Sequence, residues 1–191
     1  MRFRRPIRRP RLARRLLRNV LPDEYQNELR QAHHLMETGD YQQASTLFWR
    51  LAEIAEKRNL PGRAPFLFIQ AGRAFSLSGN SKMAKSGLIH GFELLVASNR
   101  WRALNDISNR VLQELNNSNK PELAAAIEAW IKENVPENVN LTQPQSVPST
   151  STRPGLPAKC PYCGASVSPV DVDWLDETSA ACNYCGSVIT S

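Results

Sequence analysis

The chain has 191 residues, of which 41% are hydrophobic and 22% are charged, with a formal net charge of +6. This length suits one medium-sized domain with appendages, and the hydrophobic content is sufficient for a helical core. The sequence contains no run of eighteen apolar residues, which excludes a membrane-spanning helix. The positive charge is concentrated at the N-terminus, because residues 1–18 hold nine arginines and no acidic residue.

The pattern of residues 1–21 predicts an Arg-rich amphipathic arm. Leucine and valine side chains fall on one helical face after Pro10, and the opposite face carries Arg11, Arg14, Arg15 and Arg18. Such an arm can contact nucleic-acid phosphates or an anionic membrane, bind a protein partner, pack on the chain itself or stay solvated. It is too basic and too short in apolar length for a secretory signal, so we expect a cytoplasmic protein.

Residues 22–136 are helical by pattern and are interrupted at regular intervals by Gly, Asn, Ser and Pro. The breaks predict six helices, at about 23–38, 41–58, 63–78, 81–97, 100–116 and 120–134. Alternate breaks recur every 40 residues, at Gly39, Gly79 and Asn119. Small residues recur in the same register, at Ala44, Ala84 and Ala124. This period predicts stacked helical hairpins.

The repeated segment resembles the tetratricopeptide repeat family. The residues that carry the resemblance in the first two repeats are Ala32, Leu35, Gly39, Asp40, Tyr41, Ala44, Phe48, Gly72, Phe75, Gly79 and Ala84. The third repeat matches mainly by spacing, and the 40-residue period exceeds the 34 residues usual in that family. The resemblance implies a mainly α fold, a three-repeat solenoid of six helices.

In that family, peptides bind in a groove formed by the first helix of each repeat. The resemblance places a polar, mildly basic stripe there, consisting of Arg30, His33, Gln70, Arg73, Arg110 and Gln113. Such a stripe would suit an acidic or carboxylate-bearing partner, although an ordinary solvated helix face remains the alternative. Leu29 and His33 occupy the two positions where the family's carboxylate clamp has Lys and Asn, which argues against clamp-type recognition.

Residues 137–158 are rich in Pro, Ser and Thr and predict a flexible linker. Beyond the linker, in residues 159–191, lie the four cysteines of the chain. They form two Cys-x-x-Cys pairs, each followed by glycine: Cys160 with Cys163, and Cys182 with Cys185. This spacing is that of a four-thiolate metal site.

The cysteine-containing segment resembles the zinc ribbon family at all four ligand positions. The resemblance implies a small β-hairpin fold around one structural Zn²⁺ ion; iron remains possible, because rubredoxin-like sites use similar knuckles. Four protein thiolates leave no open position for water or substrate, so the metal would stabilise the fold rather than catalyse. The segment is acidic and is therefore not expected to bind phosphate.

Taken together, these patterns predict a non-enzymatic protein–protein interaction adaptor with no small-molecule substrate. A nucleic-acid-associated factor and a membrane-surface adaptor, both acting through residues 1–18, are the alternatives. The linker is long enough to let the ribbon reach the groove, so we also hypothesise that the ribbon binds intramolecularly to the basic stripe or the arm.

Overall fold

The computed structural model describes residues 23–135 and, towards the C-terminus, residues 155–161, 167, 172–174, 178–182, 184 and 187–190. The predicted arm, including Arg11, Arg14, Arg15 and Arg18, and most of the predicted linker lie outside the described residues.

The described part of the chain is mainly helical, as predicted. Its helices are α1 (Asp23–Thr38), α2 (Tyr41–Lys57), α3 (Ala64–Leu77), α4 (Ser81–Ala97), α5 (Trp101–Asn117) and α6 (Pro121–Asn134). These bounds agree with the predicted ones to within one residue, because the breakers in the sequence coincide with the helix ends. Prolines occupy the first turn of α3 and of α6, where a missing N–H costs nothing.

The five turns between consecutive helices share one geometry. Each contains a residue with positive φ, and these residues are Gly39, Asn59, Gly79, Asn99 and Asn119. The N–H of the residue after each one donates to a carbonyl five residues earlier, as from Asp40 to Leu35 and from Lys120 to Leu115. This is the Schellman arrangement, which satisfies carbonyl groups that the helix end would otherwise leave unpaired. Glycine and asparagine are selected here because they tolerate the left-handed backbone.

Helix α3 lies at the centre of the packing, between α2 and α4. Its residues from Ala64 to Ser76 are buried on all sides apart from the half-buried Arg73. Gly72 and Gly87 allow α3 and α4 to approach closely: the Cα of Gly72 lies 3.1 Å from the position that a Cβ at residue 87 would occupy. The third hairpin, α5 and α6, packs mainly on α4.

A small antiparallel sheet follows near the C-terminus, with strands β1 (Asp173–Trp174), β2 (Ser179–Ala181) and β3 (Val188–Thr190) in that order. Asp173 is paired with Ala181, and Ala181 is also paired with Val188. Strands β2 and β3 are adjacent in the sequence and pair as antiparallel neighbours, and β1 adds a third strand.

The C-terminal segment packs on the helices. Cys160, Cys182 and Ile189 belong to the same hydrophobic cluster as the buried residues of the helices, and Tyr184 is partly buried against it. Leu156, near the end of the predicted linker, also packs on this cluster. Among the described helices, none has the length and apolar content that a membrane-spanning segment requires.

Candidate metal centre and helical groove

Cys182 lies at the start of the connection between β2 and β3. Cys182 follows the last residue of β2 directly, and its N–H donates to the carbonyl of Ser187 at 2.8 Å, which closes the turn. The Sγ of Cys182 accepts the N–H of Tyr184 at 3.4 Å. Backbone N–H groups aimed at sulfur favour the thiolate form that a metal requires.

A backbone hydrogen bond joins residues that precede and follow the first cysteine pair in the sequence. The N–H of Val167 donates to the carbonyl of Ala158 at 2.9 Å. Both described cysteines are buried, with 2% of Cys160 and 1% of Cys182 exposed.

The described cysteines fit a thiolate metal site, because they are buried, come from two separate turns and include a sulfur with a backbone donor. Cys163 and Cys185 lie outside the described residues. Within the described part of the chain, which holds two of the four predicted ligands, no group of three or more His, Cys, Asp or Glu residues could hold a metal.

His33 of α1 lies where the helices meet the C-terminal segment. Its ring makes edge-to-face contacts with Phe48 of α2 at 5.0 Å and with Tyr184 at 6.1 Å. Burial lowers the pKa of His33 from 6.5 to about 4; the negative charge of Cys160 opposes this shift, and Arg73 adds to it. The imidazole is therefore neutral at pH 7, and its shielded Nε2 makes no hydrogen bond within the described residues.

Two other residues of the predicted stripe come together on α3. Gln70 is buried, and its Oε1 accepts the Nη1–H of Arg73 at 2.9 Å. The Nε–H of Arg73 donates to Glu114 of α5 at 2.6 Å. The charge of Arg73 is thus balanced within the protein, which the sequence pattern did not reveal because Glu114 lies 41 residues away.

The remaining stripe residues, Arg30 on α1 and Arg110 and Gln113 on α5, are exposed. The structure therefore divides the predicted stripe into a paired centre on α3 and exposed flanks on α1 and α5. Tyr184 and Glu114 are the contributors that sequence reasoning missed. Tyr184 could have been suspected, because it lies between the two cysteines of the second pair.

A separate groove of about 540 Å³ lies between α2 and α4, above Phe68 of α3. Trp49 packs edge-to-face on Phe68 at 5.3 Å, and His90 does so at 4.5 Å. The imidazole of His90 also lies between Glu56, at 3.0 Å, and Glu93, at 3.4 Å. This groove combines an aromatic floor with a rim of mixed charge, since Lys82 and Lys85 also line it.

Comparison of the chain with protein families, with curated proteins and with solved structures finds no match. The function is therefore argued from the geometry of this molecule.

Proposed function

We propose that this protein is a non-enzymatic adaptor, in which a tetratricopeptide-like array of three helical hairpins binds an acidic protein segment. A C-terminal zinc ribbon, folded around one structural Zn²⁺ held by Cys160, Cys163, Cys182 and Cys185, completes the molecule. The observation that carries this proposal is the position of the basic flanks. Arg30 and Arg110 stay exposed on the first helices of the first and third hairpins.

The paired centre of the stripe supports the proposal in a different way. Arg73 is held by both Gln70 and Glu114, so it cannot offer an uncompensated charge to a ligand. It links α3 to α5 instead and fixes the spacing between two of the first helices. An acidic segment would then be recognised by Arg30 and Arg110, with Gln113 available as a neutral hydrogen-bonding group.

The C-terminal segment limits where a partner can bind. Tyr184 contacts His33, so the C-terminal segment lies against the first hairpin at this point. His33 is occupied by this contact, and the accessible part of the predicted stripe is reduced to Arg30, Arg110 and Gln113. The hypothesised intramolecular docking of the ribbon on the basic stripe or the arm involved acidic side chains, whereas the described contacts are made by aromatic rings and buried apolar residues.

Charge reversal of the flanks tests the proposal. We expect the double variant R30E/R110E to bind a fluorescein-labelled acidic peptide at least tenfold more weakly than the wild type in fluorescence anisotropy, since two favourable charge contacts become repulsive. The control is K57E/K132E, which makes the same change in net charge at exposed positions on second helices. An equal loss in both variants would mean that only the overall charge matters.

The nucleic-acid alternative predicts that binding depends on residues 1–18 and on the salt concentration. If residues 1–18 hold phosphates, their deletion abolishes retention on RNA or DNA, and retention by the full chain falls steeply with salt. Under the adaptor proposal, the same deletion leaves binding of the acidic peptide unchanged. Anionic vesicles in place of nucleic acid test the membrane alternative in the same assay.

A further inference from the structure

The groove between α2 and α4 has no role in the proposed function. It lies between the second helices of the first two hairpins, whereas the predicted stripe lies on first helices. Trp49 and His90 pack edge-to-face on Phe68, with ring centres 5.3 and 4.5 Å from it. Trp49, His90 and Ile89 are only partly buried. The groove therefore offers an apolar and aromatic surface on which a segment of chain can pack.

The charges of the groove are separated along α4. Glu56 and Glu93 both contact the imidazole of His90, at 3.0 and 3.4 Å, and Glu53 lies one turn before Glu56 on α2. The two lysines of the rim, Lys82 and Lys85, precede His90 by eight and five residues, about 12 and 8 Å along the helix axis. One end of the groove is therefore acidic. Three carboxylates beside aromatic rings suit a cationic side chain.

The N-terminal arm enters the described structure near this acidic end. The guanidinium carbon of Arg58 lies 5.3 Å from the ring centre of Tyr25, so the start of α1 lies beside the end of α2. Glu56 belongs to the last turn of α2. The eight residues from Arg15 to Pro22 span up to about 25 Å when extended. The arginines closest to α1 can therefore reach the carboxylates.

The composition of the arm complements the groove. Residues 1–18 contain nine arginines and no acidic residue, and the helix predicted after Pro10 has leucines on the face opposite its arginines. An amphipathic helix that lies in a groove packs its apolar face on the floor and leaves its charged flank at the rim. Lys82 and Lys85 repel arginines at the far end, which restricts the ion pairs to the arginines nearest α1.

We propose that residues 11–21 bind in the groove between α2 and α4 of the same chain. Arg15 and Arg18 pair with the carboxylates of Glu53, Glu56 and Glu93, and the leucines of the arm cover the aromatic floor. The bound arm withholds these arginines from nucleic-acid or membrane phosphates. This contact is independent of the proposed binding of an acidic segment, because that segment uses the first helices.

Limited proteolysis of the full-length protein tests the proposal, because trypsin cleaves after the arginines of a released arm. We expect E53Q/E56Q/E93Q to be cleaved after Arg15 and Arg18 about tenfold faster than the wild type, as followed by mass spectrometry. The reason is that cleavage follows the population of released arm, and each partly exposed ion pair contributes only a little to binding. Glutamine keeps the size of each side chain and removes only its charge.

The matched control is E37Q/E122Q/E133Q, which removes the same charge at exposed positions outside the groove. We expect it to be cleaved at the wild-type rate. Equal cleavage of the wild type and the groove variant would overturn the proposal, and slower cleavage only after addition of RNA or phosphatidylserine vesicles would assign the arm to that partner. Protection that increases with protein concentration would also overturn it, because the arm would then bind a second copy.

A measurement on the wild type covers the case in which the groove variant does not fold. In the full-length protein with labelled leucine methyl groups, we expect nuclear Overhauser contacts between the methyls of Leu16 or Leu17 and the ring of Trp49. Their absence from a folded wild-type protein would refute binding of the arm in this groove.

Discussion

Asn59, Asn99 and Asn119 adopt the same left-handed backbone conformation as Gly39 and Gly79. These five residues follow one another at intervals of 20 positions, and each permits the hydrogen bond that ends one helix and starts the next. The 40-residue period of the sequence is therefore two turns of identical geometry. Individual backbone angles therefore mark the ends of five of the six described helices, α1 to α5.

Replacing a glycine that has positive φ by alanine is expected to lower the free energy of unfolding. We expect G79A to lower the free energy of unfolding by about 1–2 kcal/mol, because φ is +85° and a Cβ is disfavoured there. No atom lies within 4 Å of the added Cβ, so packing does not contribute. Urea denaturation followed by circular dichroism measures the change.

The matched control is N119G, which relieves the same backbone strain at a turn of the same geometry. We expect it to leave the stability unchanged or to raise it slightly. Equal stability of G79A and the wild type would contradict the assignment of strain to this conformation.

At the scale of the elements, α3 and α4 are joined through positions that admit no side chain. A Cβ at Gly91 would lie 2.7 Å from the carbonyl oxygen of Pro65 and 2.6 Å from Cγ1 of Ile69. One of these neighbours is backbone and cannot rotate away. Gly91 therefore reflects the close spacing between α3 and α4, and helix propensity alone would have favoured alanine.

We expect G91A to destabilise the protein by about 1–3 kcal/mol, as overpacking typically does, even though alanine is the better helix former. S86A serves as the control, because Ser86 is exposed on the same helix. The thermal unfolding temperatures of both variants distinguish overpacking at position 91 from the higher helix propensity of alanine. A more stable G91A would show that α3 and α4 separate without cost.

At the scale of the whole molecule, the helices and the C-terminal segment share one hydrophobic cluster. The contact of His33 with Tyr184 connects α1 to the turn that contains Cys182. The third hairpin is joined to α3 by polar contacts, namely Arg73 with Glu114 and the Nζ of Lys120 with the carbonyl of Ser76. The two ends of the helical array thus have different neighbours, since α1 contacts the C-terminal segment and the third hairpin contacts α3 and α4.

Metal removal should therefore affect one end of the array. If the ribbon folds around Zn²⁺, a strong chelator unfolds it, because a segment this small depends on its metal. We expect faster amide hydrogen exchange in α1 around His33 and unchanged exchange in α6. Exchange that rises equally in both helices, or in neither, would contradict this coupling.

The sequence by itself determined the six helices, their ends and the repeat. These features depend on local backbone preferences, on breakers such as Gly39 and Asn119, and on apolar periodicity within a few residues. It also identified the cysteine pairs, because their spacing is local. The central position of α3 could have been inferred too, since this helix is apolar on nearly every face.

Only the tertiary structure decided which polar residues are available to bind a partner. The sequence predicted Arg73 as a binding residue, but in the structure Arg73 forms an ion pair with Glu114 of another hairpin. The sequence predicted His33 as a groove residue, but in the structure its ring contacts Tyr184 of the C-terminal segment. Both outcomes depend on contacts between residues distant in the sequence, and such contacts form only when the packing of hydrophobic faces fixes how the elements approach one another.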